Sequence, residues 1–173
     1  MIEVVVSRLG LDATSESYVV ILQEKGGERL LPIWIGKPEA ESIVMHMHSI
    51  KRARPLTHDL CKSLIVGLGG VLQKVHITRV ENNTYYAELH IQRGDDVVQV
   101  DARPSDSIAI ALRLSAPIYA AETLLTDMQV EESAETFENI EGGDAPSELE
   151  LNAEQLKQYL ERLRPEDFGK FNL

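Results

Sequence analysis

The sequence predicts an α+β protein whose first 128 residues or so form one compact domain built from two related halves. Three observations support this prediction. Runs rich in Val, Ile and Leu occur in two groups of three, each group is followed by a helical pattern of apolar residues, and one kind of strand-to-helix junction occurs twice. The 173 residues suit one domain with a short appendage.

The first half begins with strands predicted at 2–11, 18–23 and 29–35, separated by turns of polar residues and glycine. A helix with Pro38 in its first turn follows, because apolar residues recur there at helical spacing. A second helix is predicted from Thr57, which is its expected N-cap. Its buried face is predicted to consist of Leu60, Cys61, Leu64, Ile65 and Leu68.

The second half repeats this order, with strands predicted at 71–80, 85–92 and 97–102. Asn82 and Asn83 predict a tight hairpin, because asparagine tolerates positive φ. Pro104 opens a helix that reaches Ser115 and is apolar nearly all round, so we expect it to be buried on most sides. A short strand at 117–119 and a last helical turn at 122–128 complete the domain.

The two strand-to-helix junctions have the same composition. IWIGKPEAESIV and VQVDARPSDSIAI share a strand end, a basic residue, a proline, acidic and small residues, Ser-Ile and an apolar helix. An internal duplication accounts for this similarity at a spacing of about 65 residues. Chance similarity between two ordinary junctions is the alternative.

Charge and composition change after the first domain. The formal net charge is −11, but residues 1–128 carry 13 basic and 16 acidic side chains, a net of −3. A slightly negative domain does not indicate tight binding to nucleic acid. Residues 129–150 are acidic and are interpreted as a linker, and 151–173 contain an amphipathic helix that needs an apolar surface on the domain or on a partner protein.

The remaining bulk features indicate a cytoplasmic protein. Cys61 is the single cysteine, which excludes an intramolecular disulfide. No signal-like N-terminus is present, and no stretch approaches the ~20 apolar residues that a membrane span needs. We therefore expect no membrane partner.

Polar residues that could bind a ligand or act in catalysis are concentrated at three helix starts, KPEAE, RPLTHD and DARPSD. Helix N-termini expose unpaired N–H groups that bind phosphate, and the guanidinium groups of Arg54 and Arg103 suit phosphate oxygens. The carboxylates are candidate ligands for Mg²⁺ or Mn²⁺, and His58 is a candidate general acid or base. These carboxylates are Glu39, Asp59, Asp101 and Asp106.

Each of these residues also has a purely structural interpretation. An acidic residue in the first turn of a helix is ordinary capping chemistry, and Arg103 and Asp106 are spaced to pair with each other. His58 and Asp59 are adjacent on a helix, so their side chains diverge and a direct dyad between them is not expected. The sequence contains no P-loop, dinucleotide fingerprint, cysteine-pair zinc site, nucleophile elbow or HExxH motif.

The same junctions carry a family resemblance. LPIWIGKPEAESI, RPLTHDL and DARPSDSIAIALRLSAPI, in this order and at this spacing, resemble the bifunctional nuclease family over residues 1–128. The resemblance implies duplicated three-strand-plus-two-helix units that form one barrel-like mixed sheet with helices packed around it. It also implies a homodimer with a groove as the active site and the cleavage of both DNA and RNA.

On this basis the sequence predicts a metal-assisted nuclease with little sequence preference. His58, Asp59 and Asp106 are the predicted catalytic residues, and Glu39, Asp59 and Asp106 are the predicted ligands of Mg²⁺ or Mn²⁺. The predicted contacts to the nucleic acid are made by Lys51, Arg52, Arg54, Arg103 and Ser105.

Two other functions are compatible with the sequence. One is a non-enzymatic homodimeric adaptor, in which the polar junctions only stabilise helix starts and the acidic tail binds a partner protein. The other is a protein that binds a small phosphorylated metabolite and melts at a higher temperature when the ligand is present.

Overall fold

The protein folds into an α+β domain, seen in a computed structural model that describes residues 1–12, 17–127 and the backbone of 135–136. The predicted acidic linker, apart from 135–136, and the predicted terminal helix lie outside the described residues. Within the described part, three α-helices pack against one strongly curled half-barrel sheet of mixed strand direction.

The first half is an antiparallel meander followed by two helices. Alternating Val, Ile and Leu residues fit these strands because β-branched and aliphatic side chains pack well on a pleated surface. The elements are β1 (Ile2–Asp12), β2 (Ser17–Glu24), β3 (Leu30–Ile35), α1 (Lys37–Met47) and α2 (Thr57–Gly67).

The second half is another antiparallel meander followed by a helix and a short strand. Its elements are β4 (Val71–Glu81), β5 (Thr84–Arg93), β6 (Asp96–Ala102), α3 (Pro104–Leu114), β7 (Ile118–Ala120) and a 3-10 turn at Glu122–Leu124, with β8 (Glu135–Thr136) after them. The predicted hairpin is confirmed, since Asn82 and Asn83 have φ angles of 48° and 58°.

Strand β7 joins the two meanders into a single sheet. Ile118 pairs with Val4 in an antiparallel register and with Val75 in a parallel one. The sheet order is therefore β3-β2-β1-β7-β4-β5-β6, and β8 pairs with β1. The predicted mixed sheet is confirmed.

The two halves are similar in plan but not identical. Each has three strands and then an α-helix, but the second half has a short strand and a 3-10 turn where two equal units would place a second helix. The prediction of two helices in each unit is thus wrong for the second half of the described chain. A common origin of the halves stays a prediction.

Helix α3 is the centre of the helical layer, as its apolar sequence predicted. Ile108, Ala109, Ile110 and Ala111 are buried, and the helix contacts α1, α2, β4 and β5. None of the helices in the described residues is both long enough and apolar enough to cross a membrane.

The predictions for α2 need two corrections. Leu60 and Leu64 are each 53% exposed and Leu68 is 68% exposed, while Cys61 and Ile65 are half-buried. Helical spacing identifies an apolar face, but here α3 and β4 cover only one edge of it. The N-cap is Leu56 rather than Thr57, and the Leu56 N–H donates to the Asp59 carboxylate at 3.0 Å.

Candidate active site where three helices converge

Arg103 links the first turns of α1 and α3. Its Nη2 donates to Oε1 of Glu39 at 2.6 Å, and its Nε donates to Oδ2 of Asp106 at 2.7 Å. Each helix has a proline among its first two residues and no side-chain cap, and the two carboxylates bind the guanidinium. The Arg103 side chain is 66% exposed, which places a positive group at the surface between two helix N-termini.

His58 lies directly behind Asp106. Its Nε2 is 3.0 Å from Oδ1 of Asp106 on α3, and its Nδ1 is 2.8 Å from Oγ of Ser42 on α1. Both ring nitrogens are therefore occupied, and transfer of a proton between this ring and a substrate requires one of the two hydrogen bonds to open. The imidazole is buried and connects all three helices.

Arg113 is the most deeply buried charged residue of the same network. Its Nε donates to Oδ1 of Asp59 at 2.6 Å, and its two terminal nitrogens donate to the carbonyl oxygens of Ala109 and Ser42 at 2.9 and 3.2 Å. A buried guanidinium with three partners fixes α1, α2 and α3 relative to one another.

Two carboxylates of this network, those of Asp59 and Asp106, have a pKa below the usual value. The hydrogen bond from Arg113 lowers the pKa of Asp59, and the Leu56 N–H lowers it further. Burial alone raises the pKa of Asp106, but hydrogen bonds from Arg103 and His58 outweigh burial, so this pKa also lies below its usual value.

Five of the predicted site residues thus belong to one connected network, although the spacing of the three junctions did not require it. These residues are Glu39, His58, Asp59, Arg103 and Asp106. Arg103 and Asp106 pair as their spacing predicted. His58 and Asp59 point to different partners, as expected for neighbours on a helix.

The other four predicted substrate contacts lie apart from this network. Lys51, Arg52 and Arg54 are exposed in the loop between α1 and α2, and Arg52 Nε donates to Sδ of Met45 at 3.3 Å. Ser105 is buried in the first turn of α3. Their roles in binding nucleic acid stay predictions.

Two residues of the network were missed by sequence reasoning. Ser42 belongs to the Ser-Ile pair that the two junctions share, but that similarity does not identify it as a partner of a histidine. Arg113 did carry a signal, because it directly follows the apolar run 108–112 on a helix predicted to be buried. A charged residue on such a helix requires an ionic partner.

The three predicted metal ligands are held by arginines. Glu39 and Asp106 share Arg103, and Asp59 binds Arg113. Within residues 1–12 and 17–127, no three His, Cys, Asp or Glu side chains are grouped so that they could hold a metal ion. A divalent ion on Glu39 and Asp106 therefore requires Arg103 to move first.

Comparison with protein families gives one match of direct relevance. The family model of the bifunctional nuclease domain matches residues 20–133. This range contains every residue of the network.

Individual relatives extend the similarity in two directions. An uncharacterized protein of Mycobacterium tuberculosis is 39% identical over 166 residues, which cover 96% of this chain and 97% of the relative. The bifunctional nuclease of Oryza minuta is 24% identical over 159 residues, or 90% of this chain and 45% of the relative. Bifunctional nuclease 2 of Arabidopsis thaliana is 32% identical over 111 residues, or 62% of this chain and 34% of the relative.

Proposed function

Because the chain belongs to the bifunctional nuclease domain family, we propose that it is a phosphodiester hydrolase that cleaves DNA and RNA with little sequence preference. The names of the rice and Arabidopsis relatives support the reaction class. The observation that carries the proposal is the Arg103–Asp106–His58 arrangement, in which an exposed guanidinium adjoins a carboxylate that a buried imidazole supports.

The first step is binding of a backbone phosphate. Arg103 can exchange its two carboxylate partners for phosphate oxygens, because its parallel N–H donors match either acceptor. The N-termini of α1 and α3 favour an anion at the same place. The exposed loop side chains Lys51, Arg52 and Arg54 add attraction to neighbouring phosphates, so binding weakens as salt is raised.

The second step is attack by water. Asp106 accepts a proton from the water as the water oxygen bonds to phosphorus, and His58 holds the carboxylate in place. The bond from phosphorus to the leaving sugar oxygen breaks, and this oxygen takes a proton from solvent. Arg103 stabilises the negative charge that develops on the phosphate oxygens.

A divalent cation fits this scheme only after the phosphate has drawn Arg103 away. Glu39 and Asp106 would then hold Mg²⁺ or Mn²⁺. Asp59 would stay hydrogen-bonded to Arg113. Such an ion supplies Lewis-acid activation of water and phosphate. Whether cleavage depends on it is measured by adding each metal or EDTA.

The experiment that tests the proposal is cleavage of end-labelled single-stranded DNA, duplex DNA and RNA by the purified full chain. We expect cleavage of all three, and loss of at least 100-fold of the rate in the double variant His58→Ala, Asp106→Ala. The matched control is Asp95→Asn, which changes an exposed carboxylate in the turn between β5 and β6 and is expected to keep wild-type activity. Cleavage that persists in the double variant would point to a contaminating nuclease and count against the proposal.

A second candidate function is the non-enzymatic homodimeric adaptor, and the exposed edge of the sheet favours it. Among the described residues β6 is an edge strand of the sheet, and its residues Val97, Val98 and Val100 are exposed there. An apolar edge strand exposes backbone groups that can pair with another strand. The β6 strands of two copies of the chain can pair with each other across a two-fold axis. The acidic tail is then the element that binds a partner protein.

The mass of the particle in solution tests the dimer, and hydrolysis separates the two functions. Val98→Lys should convert a dimer to a monomer, whereas Gln73→Lys on β4 should leave the dimer intact. The adaptor function is supported if the wild type is dimeric, cleaves no substrate at any metal concentration and loses its protein partner on truncation at Asp127. Cleavage that Asp106 controls would reject the adaptor as the main function.

A further inference from the structure

We propose that Ser42 is a positioning residue of the candidate site, because its hydroxyl holds His58 with the ring proton on Nε2, directed at Asp106. The tautomer follows from the geometry alone, whereas the effect on catalysis rests on the proposed nuclease function.

The tautomer follows from the two partners of the ring. The Asp106 carboxylate can only accept a hydrogen bond, because both of its oxygens already face the Arg103 guanidinium, with which it forms an ion pair. Nε2 must therefore carry a proton at its distance of 3.0 Å. In the neutral ring Nδ1 then has a lone pair, and the Ser42 hydroxyl, 2.8 Å away, donates to it.

The opposite tautomer is disfavoured at the Nε2 end of the ring. It would direct the Nε2 lone pair at the Asp106 carboxylate, so two acceptors would face each other across 3.0 Å. With the proton on Nε2, the Ser42 hydroxyl is the donor that completes the hydrogen bonding of the ring. The Ser42 side chain is buried, so water cannot readily take its place as the donor.

The position of Ser42 is itself fixed from the inner side. Arg113 Nη2 donates to the Ser42 carbonyl oxygen at 3.2 Å, and Arg113 also binds Asp59 on α2. Ser42 therefore connects the rigid inner part of the network with His58. The order of contacts from inside to the surface is Arg113, Ser42, His58, Asp106 and Arg103.

Ser42→Ala should loosen the His58 ring and lower the rate of cleavage. Asp106 still favours the proton on Nε2, but without the hydroxyl the buried Nδ1 lone pair has no donor, so the ring is no longer held in its orientation towards Asp106. We expect cleavage to fall by about 10- to 100-fold, the usual effect of removing a group that orients a site residue. The catalytic rate constant should fall more than the affinity for substrate, because Arg103 remains in place.

The test is long-range ¹⁵N–¹H NMR of the histidine rings in the full chain, which reports the tautomer and whether the unprotonated nitrogen accepts a hydrogen bond. Wild type and Ser42→Thr, which keeps the hydroxyl, should show His58 protonated at Nε2 with a hydrogen-bonded Nδ1. In Ser42→Ala the ¹⁵N resonance of Nδ1 should move to the position of an unprotonated nitrogen without a donor. Ser107→Ala is the matched control, because Ser107 is a fully buried serine whose hydroxyl has no hydrogen-bond partner within residues 1–12 and 17–127. Ser42→Cys, with a weak donor of similar size, repeats the test if Ser42→Ala does not fold.

Each result decides between the alternatives. An unchanged Nδ1 resonance in Ser42→Ala, or a wild-type ring protonated at Nδ1 alone, overturns the proposal. A shifted Nδ1 resonance with a wild-type rate of cleavage overturns the role of Ser42 in positioning the site. A wild-type protein that cleaves no substrate rejects the proposed function, but the NMR result still decides whether Ser42 donates to His58.

Discussion

Arg113 on α3 and Asp59 on α2 form a 2.6 Å ion pair in which the guanidinium side chain is only 6% exposed. The same guanidinium binds the Ser42 carbonyl oxygen on α1. One arginine thus fixes the three helices whose first turns carry the candidate site, and the carboxylate that it binds was predicted to be a metal ligand. The stability of the domain and the geometry of the site therefore depend on the same pair.

Removing Asp59 should destabilise the domain strongly. Asp59→Ala leaves the Arg113 charge buried without its carboxylate, which costs about 3 kcal/mol in the free energy of unfolding. It also removes the acceptor of the Leu56 N–H at the start of α2. Chemical denaturation measures the change.

Asp101→Ala serves as the control for this prediction, since it removes an exposed carboxylate and should alter the free energy of unfolding by less than about 0.5 kcal/mol. A loss below about 1 kcal/mol in Asp59→Ala would show that the pair does not hold the helices together.

Removing Arg103 should act on binding more than on stability. The side chain is 66% exposed, and exposed ion pairs contribute about 1 kcal/mol or less. Arg103→Ala should raise the dissociation constant for a single-stranded oligonucleotide several-fold and reduce the slope of log K against log[salt] by about 1.

Arg79→Ala is the comparison for Arg103, because Arg79 is also an exposed arginine in an ion pair, at the far end of β4. Equal losses of affinity in the two variants would mean that Arg103 provides general charge rather than a phosphate site.

Acid should destabilise the sheet through His76. Burial lowers the pKa of His76, and the neighbouring His90 and Lys74 lower it further, while Glu88 partly opposes them. Other groups near the ring are Tyr119, 5.8 Å away between ring centroids, and the N-terminal amino group. A histidine with a lowered folded-state pKa contributes stability that is present above its unfolded pKa of about 6.5 and lost as the pH falls through the folded value.

Thermal unfolding between pH 7.5 and 5 measures this effect. The wild type should lose melting temperature below about pH 6.5, and His76→Asn should lose less. His48→Asn, at an exposed histidine directly after α1, should show the same dependence of melting temperature on pH as the wild type. If the melting temperatures of His76→Asn and the wild type fell equally with pH, His76 would not be the source of the sensitivity to acid.

The sequence predicted most of the fold because local patterns determine it. Both meanders, all three helices and the Asn82–Asn83 hairpin follow from apolar periodicity and turn chemistry. The exposed face of α2 could not be predicted in this way, since Leu60 and Leu64 have the spacing of buried residues whether or not anything covers them. Burial depends on the packing of distant segments, which periodicity does not contain.

The candidate site was predictable in its parts but not in its connections. Acidic and basic residues at helix starts identified Glu39, His58, Asp106 and Arg103 as chemically relevant. The partners come from residues 48 and 64 positions away, for His58–Asp106 and Glu39–Arg103 respectively. Ser42 was missed because its importance lies only in the His58 ring that α2 places beside it.

The most direct test of the central claim is a single-turnover cleavage measurement on Asp106→Asn. This change keeps the shape of the side chain but removes the negative charge that faces His58 and Arg103. With enzyme in excess over labelled single-stranded DNA and RNA, the rate constant should fall at least 100-fold while the melting temperature stays within a few degrees of wild type. A folded Asp106→Asn protein that cleaves both substrates at the wild-type rate would contradict the assignment of this network as a nuclease site.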